Sequence, residues 1–202
     1  MTRRVAILLF DGFDLIDAGG PYEVFLTASR LAERDGLPPQ YEVILVNSGG
    51  ADAVAFGGMT LTRLHDPADV GQVDIAIVPG TVEVAAAVAD PVLVSTVEGL
   101  LRSSGVTASV CTGAFLLAEA GALEGKNATT HWEDVDDLAR TGKLAGARSG
   151  VRWVDEGDIV TSGGLASGMH MALHLVARDF GVDHAVRTAK RLDLPWDPTG
   201  AS

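Results

Sequence analysis

The sequence predicts an α/β fold in which a mostly parallel sheet lies between two layers of helices. Short, continuously apolar runs, typical of strands covered on both faces, alternate along the chain with longer segments that have the apolar spacing of helices. Strands that alternate with helices favour right-handed crossovers and therefore parallel pairing. The length of 202 residues fits one domain, predicted to span residues 1–202.

Four apolar runs are predicted to be buried strands. They are residues 5–10, 43–46, 75–78 and 106–110. Residues 54–61 differ because they are glycine-rich and alternate only weakly, which predicts a short hairpin or edge pair between the second and third strands.

Three apolar stripes with helical spacing predict the helices between the strands. Pro21 is predicted to open the first helix and Gly36 to close it, whereas the second has Asp90 as its N-cap and Gly105 past its end. The stripes are Val24, Phe25, Ala28, Leu31 and Ala32; Leu93, Val94, Val97, Leu100 and Leu101; and Met169, Ala172, Leu173, Val176 and Phe180.

Composition excludes several classes of protein. With 15 Lys and Arg against 27 Asp and Glu, the formal charge is −12, which argues against a nucleic-acid partner. A single cysteine, Cys111, excludes an internal disulfide and any all-cysteine metal site. No apolar run approaches the roughly 20 residues that span a bilayer, and the apolar run after the two N-terminal arginines is too short for a signal peptide. We therefore expect a cytoplasmic protein with no membrane partner.

Cys111 lies between a predicted strand and a predicted helix. The helix is predicted over residues 112–120 and ends at Gly121. The small residues Ser109 and Gly113 flank it at two positions on either side, the steric pattern of a nucleophile elbow. The free amides and positive dipole at the helix start are expected to lower the pKa of the thiol below its usual value of about 8.5. The backbone N–H of Thr112 is placed to hold a developing negative charge.

Two other strand ends are predicted to meet Cys111 at the carboxyl edge of the sheet. Gly80 permits a close backbone approach and is either half of an oxyanion hole or a plain turn residue. Most acids after the first strand are expected to be solvated, but Asp17 lies among apolar residues and before a predicted turn at residues 19–21. Burial would raise the pKa of Asp17 and make it a general acid beside the sulfur.

These residues together resemble the ThiJ/PfpI superfamily, relatives of the class I glutamine amidotransferase domains, over nearly the whole chain. The sequence is similar to the isonitrile hydratase branch and equally to the sensor domain of AraC-type regulators. The resemblance implies a flavodoxin-like three-layer sandwich, a homodimer, no cofactor and no metal. The motifs that carry it are residues 110–118, Gly121, Leu123, Gly125, residues 128–132, Asp17 with Gly20 and Pro21, and residues 161–164.

The resemblance also assigns site residues. Cys111 matches the nucleophile, Asp17 the acid that hydrogen-bonds its sulfur, and Thr112 a residue that helps to hold the substrate. Thr112 stands where proteolytic members have histidine, which argues against a protease. Thr81 stands where many members have the second glycine of a Pro-Gly-Gly motif, which is a departure from the family pattern. The oxyanion donors expected beside Thr112 are the amides of Gly80 or Thr81.

Further candidates are less specific. His131 matches a histidine near the active site of some relatives and is either catalytic or structural, and Leu165 is a candidate for the substrate pocket. His170 and His174 are four residues apart on a predicted helix, but no third metal ligand is visible. The three tryptophans, Trp132, Trp153 and Trp196, are predicted to be packing residues.

The resemblance implies a cofactor-independent, cysteine-dependent hydratase or hydrolyase of a small electrophilic substrate. The best match is conversion of an isonitrile to an N-substituted formamide through a thioimidate on Cys111. One alternative is a glyoxalase- or deglycase-like enzyme, although such relatives generally have glutamate in place of Asp17. The other is a non-enzymatic ligand or redox sensor. DNA binding is not expected, because residues 184–191 form only a short predicted helix and no basic recognition helix follows Leu194.

Overall fold

The structure is a computed structural model, and residues 1–200 are the part of the chain that it describes. The two final residues of the predicted domain lie outside this described part. The strands, in chain order, are β1 (Arg3–Leu8), β2 (Tyr41–Val46), β3 (Ala53–Val54), β4 (Thr60–Leu61), β5 (Val73–Val78), β6 (Ser104–Val110), β7 (Asn127–Ala128), β8 (Gly146–Ala147), β9 (Trp153–Asp155) and β10 (Ile159–Ser162). The helices are α1 (Leu15–Arg34), α2 (Pro67–Val70), α3 (Val84–Ala89), α4 (Pro91–Ser103), α5 (Gly113–Glu119), α6 (Val135–Arg140), α7 (Ala166–Phe180) and α8 (Val182–Arg191).

The central sheet has the strand order β2-β1-β5-β6-β10-β9. Every neighbouring pair is parallel except β10 with β9, which is antiparallel. Helices α1, α7 and α8 pack together, and α3, α4 and α5 form a second group. The predicted α/β class, with a mostly parallel sheet between helices, is confirmed.

Three of the four predicted strands, in β1, β5 and β6, lie inside the sheet, where their side chains are covered on both faces. The fourth, in β2, is an edge strand and is only partly buried, so its predicted full burial is wrong. Residues 5–9 of the first strand segment are fully buried, as are Ile77 and Val78 at the end of β5. The glycine-rich segment forms the antiparallel β3–β4 pair apart from the main sheet, as predicted. Asp90 caps α4 by accepting from the amides of Val92 and Leu93. No helix in residues 1–200 has the length and apolar character needed to cross a bilayer.

Two predicted helix boundaries are wrong. α1 begins at Leu15, so the expected turn at residues 19–21 is helical and Pro21 lies inside the helix. Asp17 is therefore in the first turn of α1. At the other boundary α4 ends at Ser103 and the chain enters β6 directly, so Gly105 lies in a strand.

The glycine pair in α1 has a packing role at one position only. A Cβ at Gly20 would lie 2.7 Å from Cγ of Met169, whereas a Cβ at Gly19 would meet nothing within 4 Å. Gly20 thus lets α1 approach α7, and this contact overrides the local turn signal of a Gly-Gly-Pro sequence.

Gly19→Ala is expected to raise the free energy of unfolding by about 0.5–1 kcal/mol, since alanine is the better helix former. Gly20→Ala gains the same propensity but must displace Met169, so its stability should fall below that of Gly19→Ala by about 1–2 kcal/mol. Urea denaturation of the two variants measures the difference. Equal stabilisation by both would contradict a close α1–α7 contact.

Candidate active site

Cys111 occupies the predicted elbow between β6 and α5. Its backbone φ is +56°, in the left-handed region that non-glycine residues rarely adopt. A Cβ at Gly113 would lie 2.4 Å from the carbonyl oxygen of Val78 and 2.8 Å from that of Pro79. Only glycine at position 113 allows the turn to pass the end of β5, so the small-residue pattern has a direct steric cause.

Two hydrogen bonds hold the backbone of Cys111 in this conformation. The Cys111 N–H donates to the carbonyl of Gly163 at 3.2 Å, and the buried Thr130 hydroxyl donates to the Cys111 carbonyl at 2.8 Å. The sequence does not predict this role of Thr130, since its only signal is membership of the 128–132 motif. Such support is needed because backbone strain of about 1–3 kcal/mol persists only when the surroundings impose it.

Thr130→Val is expected to lower the free energy of unfolding by about 1–3 kcal/mol, because a buried carbonyl loses its hydroxyl donor. Thr130→Ser is the matched control, since it keeps the hydroxyl and should lose less. Chemical denaturation of both variants provides the measurement. A serine variant that is no more stable than the valine variant would show that the hydrogen bond does not support the elbow.

Asp17 lies fully buried against the sulfur of Cys111. Its Oδ2 accepts from the Gly80 amide at 3.1 Å and its Oδ1 from the Leu165 amide at 3.2 Å. Burial raises the pKa of Asp17 to about 7, although the Gly80 and Leu165 amides favour the charged form. The sequence-based expectation that Asp17 points into an enclosed pocket therefore agrees with its geometry.

The expected lowering of the Cys111 pKa is not observed. The residue is only 5% exposed, and burial, followed by the charge of Asp17, raises the pKa of the thiol to about 12. The Thr112 N–H opposes this rise but is outweighed. The start of the helix lowers the pKa of the thiol, but desolvation of the sulfur and the neighbouring carboxylate of Asp17 raise it by more.

The proposed oxyanion donors Gly80 and Thr81 already have other acceptors. The Gly80 N–H donates to Asp17, while the Thr81 N–H donates to Oγ1 of Thr112 at 2.8 Å. The Thr112 hydroxyl in turn donates to the Thr81 carbonyl at 2.7 Å. Neither amide is free in this structure, so the oxyanion role predicted for Gly80 or Thr81 requires one of these hydrogen bonds to open and stays a prediction. The close approach at Gly80 serves Asp17 and Thr112 instead, and the Thr112 N–H is the donor that faces the sulfur.

A cleft of about 360 Å³ opens above the sulfur. Leu165 lies at its edge, 46% exposed, and its left-handed backbone (φ +52°) accompanies the amide contact with Asp17. The lining residues are Asp14, Thr81, Val82, Val84, Cys111, Thr112, His131, Glu133, Asp134 and Leu165. The structure thus brings together every residue predicted for the site, including Gly80 and Asp17 beneath the cleft, while their chemical roles remain predictions.

His131 reaches the same cleft across Gly164. A Cβ at Gly164 would lie 2.4 Å from Cδ2 of His131 and 3.3 Å from Sγ of Cys111, so both groups pack on this glycine. Nδ1 of His131 is 3.4 Å from a carboxylate oxygen of Asp134 and 3.8 Å from one of Glu133. Two carboxylates therefore lie beside the imidazole ring of His131 at the cleft.

Asp14 is the site residue that the sequence did not distinguish from solvated acids. It is half-buried, and one oxygen lies with an oxygen of Asp17 and the sulfur of Cys111 in a group whose members are all within 4.8 Å of one another. Burial raises the pKa of Asp14, and the charge of His131 opposes the rise. The position of Asp14 depends on the start of α1 directly after it, which the sequence does not indicate.

The remaining histidines and tryptophans lie elsewhere. His174 hydrogen-bonds to Asp155 at 2.6 Å and stacks on Trp153, whereas His170 is 3% exposed. In residues 1–200, three or more metal-ligating side chains come together only at Asp14, Asp17 and Cys111. Trp153 and Trp196 pack against the core as predicted, but Trp132 is 77% exposed, so its predicted packing role is wrong.

The sequence pattern of the DJ-1/PfpI family matches residues 3–178. The chain belongs to the DJ-1/PfpI family. This confirms the ThiJ/PfpI resemblance, and with it the flavodoxin-like sandwich that the resemblance implied.

Curated relatives of this DJ-1/PfpI chain differ in what they do. A protein from the cpoL 5′ region of Streptomyces lividans is 37% identical over 68% of this chain and 94% of its own length. Isonitrile hydratase of Pseudomonas putida is 30% identical over 65% of this chain and 54% of its own length. The HTH-type transcriptional regulator GbdR of Pseudomonas aeruginosa is 28% identical over 89% of this chain. The chain spans about half the length of the last two proteins, with 47% of GbdR covered.

Solved structures show the same fold at lower identity. A ThiJ/PfpI protein from Pseudomonas syringae superimposes with a TM-score of 0.83 at 21% identity, covering 98% of this chain and 77% of that one. DJ-1beta of Drosophila melanogaster has a TM-score of 0.79 at 17% identity, covering 96% of this chain and all of that one. These likenesses establish the DJ-1/PfpI architecture of the chain.

Proposed function

We propose that this protein is a cofactor-independent hydratase of a small electrophilic carbon, with an isonitrile as substrate and an N-substituted formamide as product. One observation carries the proposal: a fully buried carboxyl, Asp17, lies against the sulfur of Cys111 at the floor of a cleft. A soft nucleophile and a proton donor at one carbon are the two groups that this addition needs.

The ionisation of the pair determines how it works. Burial raises the pKa of both Asp17 and Cys111, so the two groups hold one shared proton over a wide range of pH above about 7. A thiol beside a carboxylate and a thiolate beside a carboxylic acid both carry one proton, and they differ only in which group holds it. The raised thiol pKa is thus compatible with attack, since Asp17 receives the thiol proton as the sulfur reacts.

The first step is addition of the thiol across the terminal carbon of R–N≡C. The sulfur lone pair forms the S–C bond while the thiol proton passes to Asp17. Asp17 then returns this proton to the same carbon, which gives the thioimidate Cys111–S–CH=N–R. No electron acceptor or donor is required, because the step only adds S–H to carbon.

The second step is hydrolysis of the thioimidate. Water adds its hydroxyl to the carbon and a proton to nitrogen, giving a tetrahedral adduct. The C–S bond then breaks, the sulfur leaves with its electron pair, and the hydroxyl proton returns through Asp17 to the pair. The product is R–NH–CHO, and the enzyme regains its starting protonation. The Thr112 N–H, which faces the sulfur, supports its negative charge in both steps.

Sequence similarity to an isonitrile hydratase is additional support for this assignment, which rests on the geometry of Asp17 and Cys111. Isonitrile hydratase of Pseudomonas putida is among the relatives, and this chain has Cys111, Asp17 and Thr112 at the positions to which the resemblance assigns the nucleophile, the acid and the substrate-holding residue. The cysteine is followed by Thr112, which argues against the protease alternative because no histidine base adjoins the nucleophile.

Steady-state formation of N-cyclohexylformamide from cyclohexyl isonitrile tests the proposal directly. We expect turnover by the wild type without added metal or cofactor. A parallel assay with methylglyoxal tests the glyoxalase alternative through lactate formation. Lactate formation without formamide formation would replace the hydratase assignment by the glyoxalase one.

A sensor is the second candidate, favoured by the similarity to GbdR. Redox sensing requires peroxide to react with the Cys111 thiolate, which is the minor form of a thiol whose pKa burial raises to about 12. Mild peroxide followed by peptide mass spectrometry should leave Cys111 largely reduced, and rapid selective oxidation there would favour a redox sensor.

The homodimer and the cytoplasmic location implied at the outset remain predictions. Size-exclusion chromatography with light scattering tests the dimer, for which a mass near twice the 20.9 kDa of one chain is expected.

A further inference from the structure

Acidic side chains surround the cleft above Cys111. Asp14, Glu133 and Asp134 line it, and the structure places no Lys or Arg among the described lining residues. His131 is the one basic group there, and two of these carboxylates approach its Nδ1 within 3.8 Å. Even a protonated His131 leaves the lining negative, since three carboxylates outnumber one imidazolium.

This charge acts where a substrate must pass. The side chain of Glu133 is 62% exposed and that of Asp134 is 33% exposed, whereas Asp14 lies deeper, in the group with Asp17 and Cys111. A cleft lined by one sign of charge concentrates ligands of the opposite sign and repels those of the same sign. A carboxylate about 6 Å from a charged ligand changes the local concentration of that ligand roughly tenfold at intermediate dielectric, and salt reduces this effect.

Three apolar side chains also line the cleft, beside the hydroxyl residues Thr81 and Thr112. Val82 is 55% exposed and Leu165 46% exposed at the same cleft, with Val84 beside them. Carboxylates over apolar side chains fit an organic cation, whose alkyl groups contact the aliphatic walls while its charge faces the acids.

We propose that the cleft selects substrates that carry a positively charged alkylammonium substituent and disfavours those that carry a carboxylate or sulfonate. The proposal deepens the hydratase assignment by naming the substrate class, and for turnover it rests on that assignment. The charge preference of the cleft itself does not, so it can be measured separately.

The single cysteine makes a selective probe possible. We would measure the rate of Cys111 modification by 2-(trimethylammonio)ethyl methanethiosulfonate and by 2-sulfonatoethyl methanethiosulfonate. In both reactions the sulfur forms a disulfide bond, methanesulfinate leaves with the electron pair, and the thiol proton passes to buffer. The ratio of cationic to anionic rates, divided by the ratio for free 2-mercaptoethanol, should exceed about tenfold at low ionic strength and shrink in salt.

Charge-neutralising variants distinguish the effect of the cleft carboxylates from the effect of the net negative charge of the chain. Glu133→Gln with Asp134→Asn, and separately Asp14→Asn, should each reduce the normalised ratio by about threefold or more. Asp183→Asn is the matched control, because Asp183 is an exposed acid in the first turn of α8 and does not line the cleft. The control should leave the ratio unchanged.

A normalised ratio near one, an equal change in the Asp183→Asn control, or no modification by the cationic reagent would each overturn the proposal. Turnover provides the second arm, in which 2-(trimethylammonio)ethyl isonitrile is compared with its uncharged isostere, 3,3-dimethylbutyl isonitrile. We expect kcat/KM to favour the cation by about fivefold or more at low salt. If neither isonitrile reacts while the modification ratio holds, the hydratase assignment fails and the charge preference stands.

Discussion

Cys111→Ala and Cys111→Ser are each expected to lower kcat/KM for cyclohexyl isonitrile by about 10⁴-fold or more. Both steps of the proposed reaction pass through a bond to this sulfur. Serine is the more informative replacement, because its hydroxyl keeps a proton near Asp17 but is a far weaker nucleophile. The measurement is the initial rate of formamide formation at several substrate concentrations.

The control for these variants is the fold itself. Cys111 is buried within the core cluster, so circular dichroism and the urea midpoint should confirm that each variant is native. A native serine or alanine variant that retains more than about a tenth of the wild-type rate would remove Cys111 from the mechanism.

Asp17→Asn is expected to change the pH dependence of stability. Burial raises the folded-state pKa of Asp17 to about 7 from an unperturbed value of 3.8, so the folded protein binds this proton more tightly than the unfolded chain. Protonation of Asp17 therefore contributes to the free energy of unfolding. This contribution is fully present below the pKa of Asp17 in the unfolded chain and is lost as the pH rises to about 7. Between about pH 4 and pH 8 the wild type should therefore lose up to about 4 kcal/mol relative to the variant.

The comparison across pH removes the constant effects of the substitution. Asparagine presents an NH₂ group where Asp17 offers an oxygen to the Gly80 or Leu165 amide, so the variant starts with a fixed penalty. Only the titration of Asp17 makes the difference between the two proteins depend on pH in this range. A difference in free energy of unfolding that stays constant from about pH 4 to pH 8 would contradict a buried carboxyl with a raised pKa.

The same variant tests the role of Asp17 in catalysis. For the wild type, kcat/KM should rise with pH toward a plateau above about pH 7, since the doubly protonated pair cannot release the thiol proton to Asp17. Asp17→Asn should lower the plateau by about 10²- to 10⁴-fold and abolish the limb near pH 7. An unchanged limb in the variant would assign it to another group.

The sheet was predictable because its signal is local. A strand covered by helices on both faces must be apolar at every position, and residues 5–9 satisfy this without reference to the rest of the chain. The first helix was misplaced for the opposite reason. Gly19, Gly20 and Pro21 have a strong local turn preference, and the contact between Gly20 and Met169, nearly 150 residues away, keeps them helical.

The site was predictable in position but not in electrostatics. The small residues around Cys111 are a local requirement of the elbow, and the carboxyl ends of parallel strands must share an edge, so Cys111, Gly80 and Asp17 were expected to meet. The pKa of the thiol depends on how completely the fold excludes water from it, which the sequence does not state. The sequence also does not state which acceptors the amides of Gly80 and Thr81 have, because those acceptors come from α1 and the elbow.

The most direct test of the hydratase assignment is intact-protein mass spectrometry of the enzyme quenched during turnover of cyclohexyl isonitrile. The account predicts a species heavier by one whole isonitrile molecule, located on Cys111 by peptide mapping, that disappears when substrate is exhausted and does not form in Cys111→Ala. Formamide production with Cys111 unmodified at every time point, or an adduct that forms and is never released, would contradict it.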